Sequence, residues 1–293
     1  MKKLGLATVV LLAMTGAQAY QVEVQGQSQF IDNTVNEHDF TGAVAGTYYF
    51  KNVDSSKGPL AEAAFLNQAS NVSAAYTYGE YDVDGIANQT SHTVGLKGEV
   101  YANTNYSANP LYASAAYSYS YANKKDNQFD DHGQRLSVEV GSVIAPNLLV
   151  AVGYTNAMEQ VSYDAFNMFN NGVAQAALES KTINDDQDAF TARTKYVGAI
   201  DGTNMSIGFD AGLVYGEQSA YNLGANLFIN PQLSVGVSYL ETDINEAIDS
   251  AFGANVNYFF TPAFAVGASY TGANAKGAHQ DTQTIGLNAK VRF

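Results

Sequence analysis

The stretch DTQTIGLNAKVRF, residues 281–293, decides the fold. Ile285, Leu287, Ala289, Val291 and Phe293 alternate with Gly286, Asn288, Lys290 and Arg292. A period of two puts one set on each face of a β-strand, whereas a helix needs apolar residues three and four apart. The same pattern recurs back along the chain. Met205, Ile207, Phe209, Ala211, Leu213 and Tyr215 alternate with Ser206, Gly208, Asp210 and Gly212. Leu111, Ala113, Ala115, Tyr117, Tyr119 and Tyr121 alternate with Ser114, Ala116, Ser118 and Ser120. Leu96, Gly98 and Val100 oppose Lys97, Glu99 and Tyr101; Val22, Val24, Gly26, Ser28 and Phe30 oppose Glu23, Gln25, Gln27 and Gln29. Beyond residue 19, no window has the ~20 consecutive apolar residues of a spanning helix.

Two architectures suit such strands. In a soluble sandwich the apolar faces meet and the charged faces look to water. Here the polar faces hold mostly Gly, Ser, Ala, Thr, Asn and Gln, and charged residues make up only 14% of the 293. Soluble domains carry roughly 25%. Small polar residues facing a watery interior, with apolar residues and flanking Tyr and Phe facing lipid, describe an all-β transmembrane antiparallel barrel. Tight Pro turns, Ile144-Ala145-Pro146-Asn147-Leu148, Ile229-Asn230-Pro231-Gln232-Leu233 and Phe260-Thr261-Pro262-Ala263-Phe264, alternate with longer acidic segments. Asn109-Pro110-Leu111 is a looser copy. Proline cannot join the ladder, so it belongs at turns and strand starts. Short turns on one side and long loops on the other are the barrel asymmetry.

The pattern predicts strands at 20–31, 40–51, 71–80, 91–102, 110–122, 134–145, 148–157, 189–199, 204–216, 220–230, 232–241, 250–260, 263–273 and 281–293. Fourteen is even, which leaves both chain ends in the periplasm; twelve or sixteen would do the same. A terminal aromatic on an alternating strand, here Phe293, has the form of an outer-membrane assembly signal, which makes the assembly machinery an expected partner. Lipid and lipopolysaccharide are expected around the wall. The oligomeric state is open, with a monomer favoured. At the other end, Lys2 and Lys3, the apolar stretch Leu4 to Met14 and the small-x-small site Ala17-Gln18-Ala19 read as a secretory signal. Cleavage is expected between Ala19 and Tyr20, leaving 20–293 as a single outer-membrane barrel domain. The location implied is the outer membrane of a Gram-negative bacterium.

Composition removes other functions. A net charge of −14 makes a poor nucleic-acid binder. With no cysteine there is no thiolate catalysis, zinc-thiolate site or disulfide scaffold. Ser91-His92 is the one tempting catalytic pair, but strand neighbours point to opposite faces. No catalytic, metal or cofactor site is expected, and no enzymatic role.

The expected outer loops hold 21 of the 28 acids. The expected lumen runs the other way. Lys97, Arg135, Arg193, Lys195, Lys290 and Arg292 stand against Glu23, Glu99, Glu139 and Asp210. Two readings compete for these bases. They set a field that selects ions, or they form cross-wall pairs with Glu99 and Glu139 that fill a narrow lumen. The acidic loops either bind divalent cations or are simply solvated. The longest loop, about 158–188, carries Phe166, Met168, Phe169 and Leu178 in a patch too apolar for open solvent. It is expected to fold over or into the mouth and restrict passage, or to pack only on neighbouring loops.

Long stretches resemble a known family. YQVEV at 20–24, GTYYFKNVDSSKGPLAEAAFLNQAS at 46–70, TARTKYVGAIDGTNMSIGF at 191–209, GANVNYFFTP at 253–262 and the last strand are similar to the Acinetobacter outer-membrane porins of thirty-three to thirty-six kilodaltons. These belong to a wider set of porins and water channels. The resemblance implies a fourteen-stranded barrel acting as a passive, gated channel for water, ions and small solutes. It also implies links to carbapenem susceptibility and host interaction. A closed, adhesive barrel whose loops bind host or envelope partners is the alternative.

Overall fold

A computed structural model describes residues 19–32, 39–83, 86–103, 109–124, 130–158, 164–169, 187–216, 219–243, 248–275 and 282–293. The segment before Ala19 expected to be a secretory signal, most of the expected outer loops and Leu178 lie outside the described residues. The strands are β1 (Ala19–Asp32), β2 (Asp39–Asp54), β3 (Asn71–Val83), β4 (Ile86–Ala102), β5 (Leu111–Lys124), β6 (Asp130–Ala145), β7 (Leu148–Met158), β8 (Gln187–Ala199), β9 (Ser206–Gly216), β10 (Ser219–Phe228), β11 (Leu233–Thr242), β12 (Ile248–Thr261), β13 (Phe264–Ala275) and β14 (Thr282–Arg292). Each pairs antiparallel with its sequence neighbour, and β1 pairs with β14 to close a fourteen-stranded barrel. Among the described residues no helix is long and apolar enough to cross a membrane, which says nothing of a barrel.

Alternation sorts the wall as the sequence predicts. Leu96, Val140, Val152, Leu223, Val237 and Ile285 stand exposed on the outside, where lipid replaces water. Glu23, Gln29, Thr93, Ser118, Ser120 and Thr271 are buried on the inside. Aromatics gather at both rims. Phe30 with Phe40 and Phe252 with Tyr270 lie toward the loops; Tyr48 with Phe50 and Tyr258 with Phe260 lie toward the chain termini. His92 joins the outer aromatics, its Nδ1 2.8 Å from the Tyr76 hydroxyl, while its neighbour Ser91 is buried inside.

The strands run longer than expected on the loop side: β4 begins at Ile86 and β6 at Asp130. Polar residues there keep the ladder without needing an apolar face, so the hydrophobic pattern fades before the hydrogen bonds do. The proline turns form as read. Asn147 has φ of +59°, a left-handed position that Asn tolerates. In the β10–β11 turn, Asn230 Oδ1 accepts from the amides of Gln232 at 2.8 Å and Leu233 at 2.9 Å. The seam is stitched at the last residue, whose carbonyl accepts from the amides of Gln21 at 2.7 Å and Val22 at 3.0 Å.

Candidate functional site

The lumen holds two segments that fold inward from opposite rims. The first is the β2–β3 connection, which the sequence presents as a turn. After Pro59 the chain makes a 3-10 turn, Leu60–Glu62, and a short helix α1, Ala63–Leu66. Gly58 starts this reversal with φ of +150°, and a Cβ there would lie 2.8 Å from Leu66 Cδ1. Asn67 Nδ2 donates to the Ala63 carbonyl at 2.7 Å and the Asp54 carbonyl at 2.8 Å, folding the segment on itself.

This plug touches the inner wall on several sides. Ala63 packs with Tyr20, Tyr49 and Val53. Phe65 packs with Tyr112, Val143, Leu149 and Ala151 of β5–β7. Leu60 packs with Phe259 and Ala265 of β12–β13. Polar locks hold it as well. The Leu60 amide donates to the Pro231 carbonyl at 2.8 Å, and the Leu60 carbonyl accepts from Arg292 Nη1 at 2.9 Å. Glu62, 6% exposed at its side chain, pairs with Lys195 at 2.8 Å. Lys195 also lies 5.3 Å over the Phe65 ring.

The second segment is Asp164–Phe169 of the long outer loop, ending in a 3-10 turn at Asn167–Phe169. Ala165 and Phe166 pack on Ala45 and Ala75, with Phe169 beside them. The Ala165 amide donates to Ser118 Oγ at 3.2 Å, and Thr77 Oγ1 donates to the Ala165 carbonyl at 3.3 Å. Gly95 makes room: a Cβ there would lie 2.8 Å from the Ala165 Cβ and 2.9 Å from the Phe166 ring. Overpacking of this kind costs about 1–3 kcal/mol. Gly95→Leu is therefore expected to expel the segment. In this cysteine-free chain, a Met168→Cys thiol should react with a polar maleimide about tenfold faster in the Gly95→Leu background. Equal rates would show that the segment does not rest on Gly95.

Between the two lies a chamber of about 440 Å3, lined by Glu62 of the plug, Asp164, Phe166 and Phe169 of the loop, and the strand walls. Lys97, Arg135, Glu139, Arg193, Lys195, Asp210 and Lys290 line it, whereas Glu99 and the buried Arg292, also expected there, do not. Arg193 Nε lies 3.0 Å from Glu139 and its Nη2 3.9 Å from Glu99. Lys97 lies 3.3 Å from Glu99, and Lys195 3.9 Å from Asp210. Arg193 also donates to the Tyr112 hydroxyl at 2.6 Å. Lys290 and Arg292 both hold Glu23, at 3.0 and 2.7 Å. Arg292 is 2% exposed and sandwiched between the rings of Tyr20 and Phe259, at 4.5 and 4.6 Å. Of the bases weighed from sequence, Lys97 and Arg193 pair with Glu99 and Glu139, whereas Lys195 pairs with Glu62 and Asp210, and the space between them is not filled. Glu62 and Asp164 add two carboxylates to those counted from the strands, so Glu23, Glu62, Glu99, Glu139, Asp164 and Asp210 match the six bases in number.

Sequence reasoning missed Leu60, Glu62 and Phe65. The signal was there: the stretch between Pro59 and Asn67 is long and apolar for a turn, the same criterion that singles out the 158–188 loop. Among the described residues no group of three or more His, Asp or Glu is placed to hold a metal ion.

A family described as "putative general bacterial porin" matches residues 1–293. The chain is similar to the crystal structure of the Acinetobacter baumannii outer membrane protein Omp33, at 46% identity and a TM-score of 0.71, covering 94% of this chain and 99% of that one. It is also similar to the CymD monoaromatic hydrocarbon channel, at 9% identity and a TM-score of 0.53, covering 98% and 92%. The Pseudomonas putida toluene transporter TodX matches at 7% identity and a TM-score of 0.50, covering 97% and 90%. At such identities these last two likenesses concern the fold alone. No curated protein matches the chain in sequence.

Proposed function

Since the chain belongs to this general bacterial porin family and lies in the outer membrane of a Gram-negative bacterium, we propose that it is a gated diffusion channel for small hydrophilic solutes, water and ions. The observation that carries this reading is the chamber itself. A lumen kept only for structure would be filled by side chains, whereas here about 440 Å3 stays water-accessible behind a polar wall. The plug serves as the gate on the terminal rim, and Asp164–Phe169 narrows the path from the loop rim. The protein does no chemistry on what passes. Lipid, lipopolysaccharide and the assembly machinery are its proposed partners in the membrane.

The plug also favours a second reading, a barrel held shut for structural or adhesive duty. Planar-bilayer recording of the purified protein separates the two. Stepwise openings whose frequency depends on the plug locks support the channel. No current at any voltage, and none after residues 58–69 are shortened, supports the closed barrel.

The Lys195–Glu62 lock gives a graded test. Glu62 sits almost fully buried against Lys195, so Glu62→Gln loses a charge-assisted bond without changing shape. Such bonds contribute about 1.5–3 kcal/mol. The ratio of open to closed time is expected to rise about tenfold or more. An unchanged ratio would remove Lys195 from the gate.

A further inference from the structure

Among the described residues the chamber wall from β10 to β13 carries no ion pair, and its chemistry is regular. From β9 round to β1, inward positions alternate carboxamide and glycine in direct cross-strand register. Asn222 opposes Gly212. Gly236 stands between Asn226 and Asn255. Gly267 stands between Asn257 and Asn288, and Asn288 opposes Gln27. The glycines leave room for their neighbours. A Cβ at Gly212 would strike the Asn222 carboxamide, at Gly236 those of Asn226 and Asn255, and at Gly267 those of Asn257 and Asn288. Each glycine therefore lets the neighbouring amides lie along the wall, and these five asparagines all line the chamber.

A second tier lies one step toward the loops, where Ser269 and Gln29 both oppose Gly286. Ser269 Oγ, Gln29 Nε2 and the nearby Ser238 Oγ are buried without a protein partner.

We propose that this carboxamide belt is a binding subsite for a small neutral polyhydroxy solute of monosaccharide size. The amide presents a planar donor and acceptor pair, which matches adjacent hydroxyls on a ring. Phe166, Phe169 and Phe259 line the same chamber and supply apolar faces for the ring carbons. On the opposite wall Lys97, Arg193 and Lys195 are already held by carboxylates, so an entering anion must break an ion pair, whereas a sugar need not. The chamber's size falls in the ~300–1,000 Å3 range of small-molecule pockets. The inference rests on the channel reading for the route by which solute enters.

The test is calorimetric titration of the detergent-solubilised protein, and of the variant with residues 58–69 shortened, with D-arabinose, acetate and glycine as probes. Arabinose is expected to bind saturably, with acetate and glycine at least about tenfold weaker. Asn255→Leu with Asn257→Leu should weaken arabinose by a similar factor while the barrel keeps its folded, heat-modifiable gel mobility. Asn288→Leu serves if that pair fails to fold, and the comparison of probes on the unaltered protein stands by itself. Arabinose bound by neither protein, or bound unchanged in the folded variants, or acetate preferred, overturns the proposal. Failure of the channel reading has a different signature: arabinose still binds, but liposomes carrying the shortened variant admit no solute.

Discussion

Replacing residues 58–69 by a short Gly-Ser turn is expected to turn a mostly closed barrel into a steadily conducting one. The plug is held by apolar and polar contacts on several sides of the lumen. Burial of Leu60, only 4% exposed, contributes about 1.5–3 kcal/mol. The bond from Arg292 to the Leu60 carbonyl contributes a comparable amount, being charge-assisted. If the plug is the gate, as proposed, these contacts hold the open fraction below about one in a hundred, and average current should rise by about two orders of magnitude on shortening. The new turn also removes Glu62, leaving Lys195 with Asp210 at 3.9 Å. The bases then outnumber the acids. Reversal potentials in a salt gradient should show a mild anion preference that weakens with ionic strength. A cation preference would contradict this charge assignment, and an unchanged current would show that the plug is not the gate.

The second large effect concerns Arg292. This guanidinium is buried between two rings, bonded to Glu23 across the seam and to the plug, so one residue joins the seam to the inward segment. Arg292→Ala strips Glu23 of its closest partner and leaves it with Lys290 alone. Breaking a buried ion pair costs about 3–5 kcal/mol. The expected result is a lower urea midpoint for unfolding from lipid vesicles and more unfolded chain on unheated gels. Arg292→Lys should recover part of the loss, since an ammonium keeps the charge but not the planar stack or the forked bonds. A full recovery would mean that charge alone matters at the seam.

The strands were legible because a wall between lipid and water imposes one rule at every position. Leu96 stands outward and Lys97 inward for the same reason that Ile285 and Asn288 differ, and the fourteen strands follow from repeating it. The inward charges were legible as a set, because alternation assigns a face. Their partners were not, because Glu62 arrives from a different part of the chain. The plug illustrates the limit. GPLAEAAFLNQAS obeys no period of two, and its contacts lie as far as Arg292, 232 residues away. The Asn and Gly belt shows another. β10 and β12 contribute two asparagines each and β14 one, each unremarkable alone, and the order emerges only when the register sets them beside the glycines.

The stitching of Phe293 to Gln21 and Val22 bears on biogenesis. The bond from Arg292 to Glu23 spans 269 residues, so the cylinder cannot shut until the last strand has arrived. The plug belongs to the second and third strands, yet Arg292 beside that seam is one of its anchors. Completion of the wall and this one anchor of the inward segment thus depend on the same late strand.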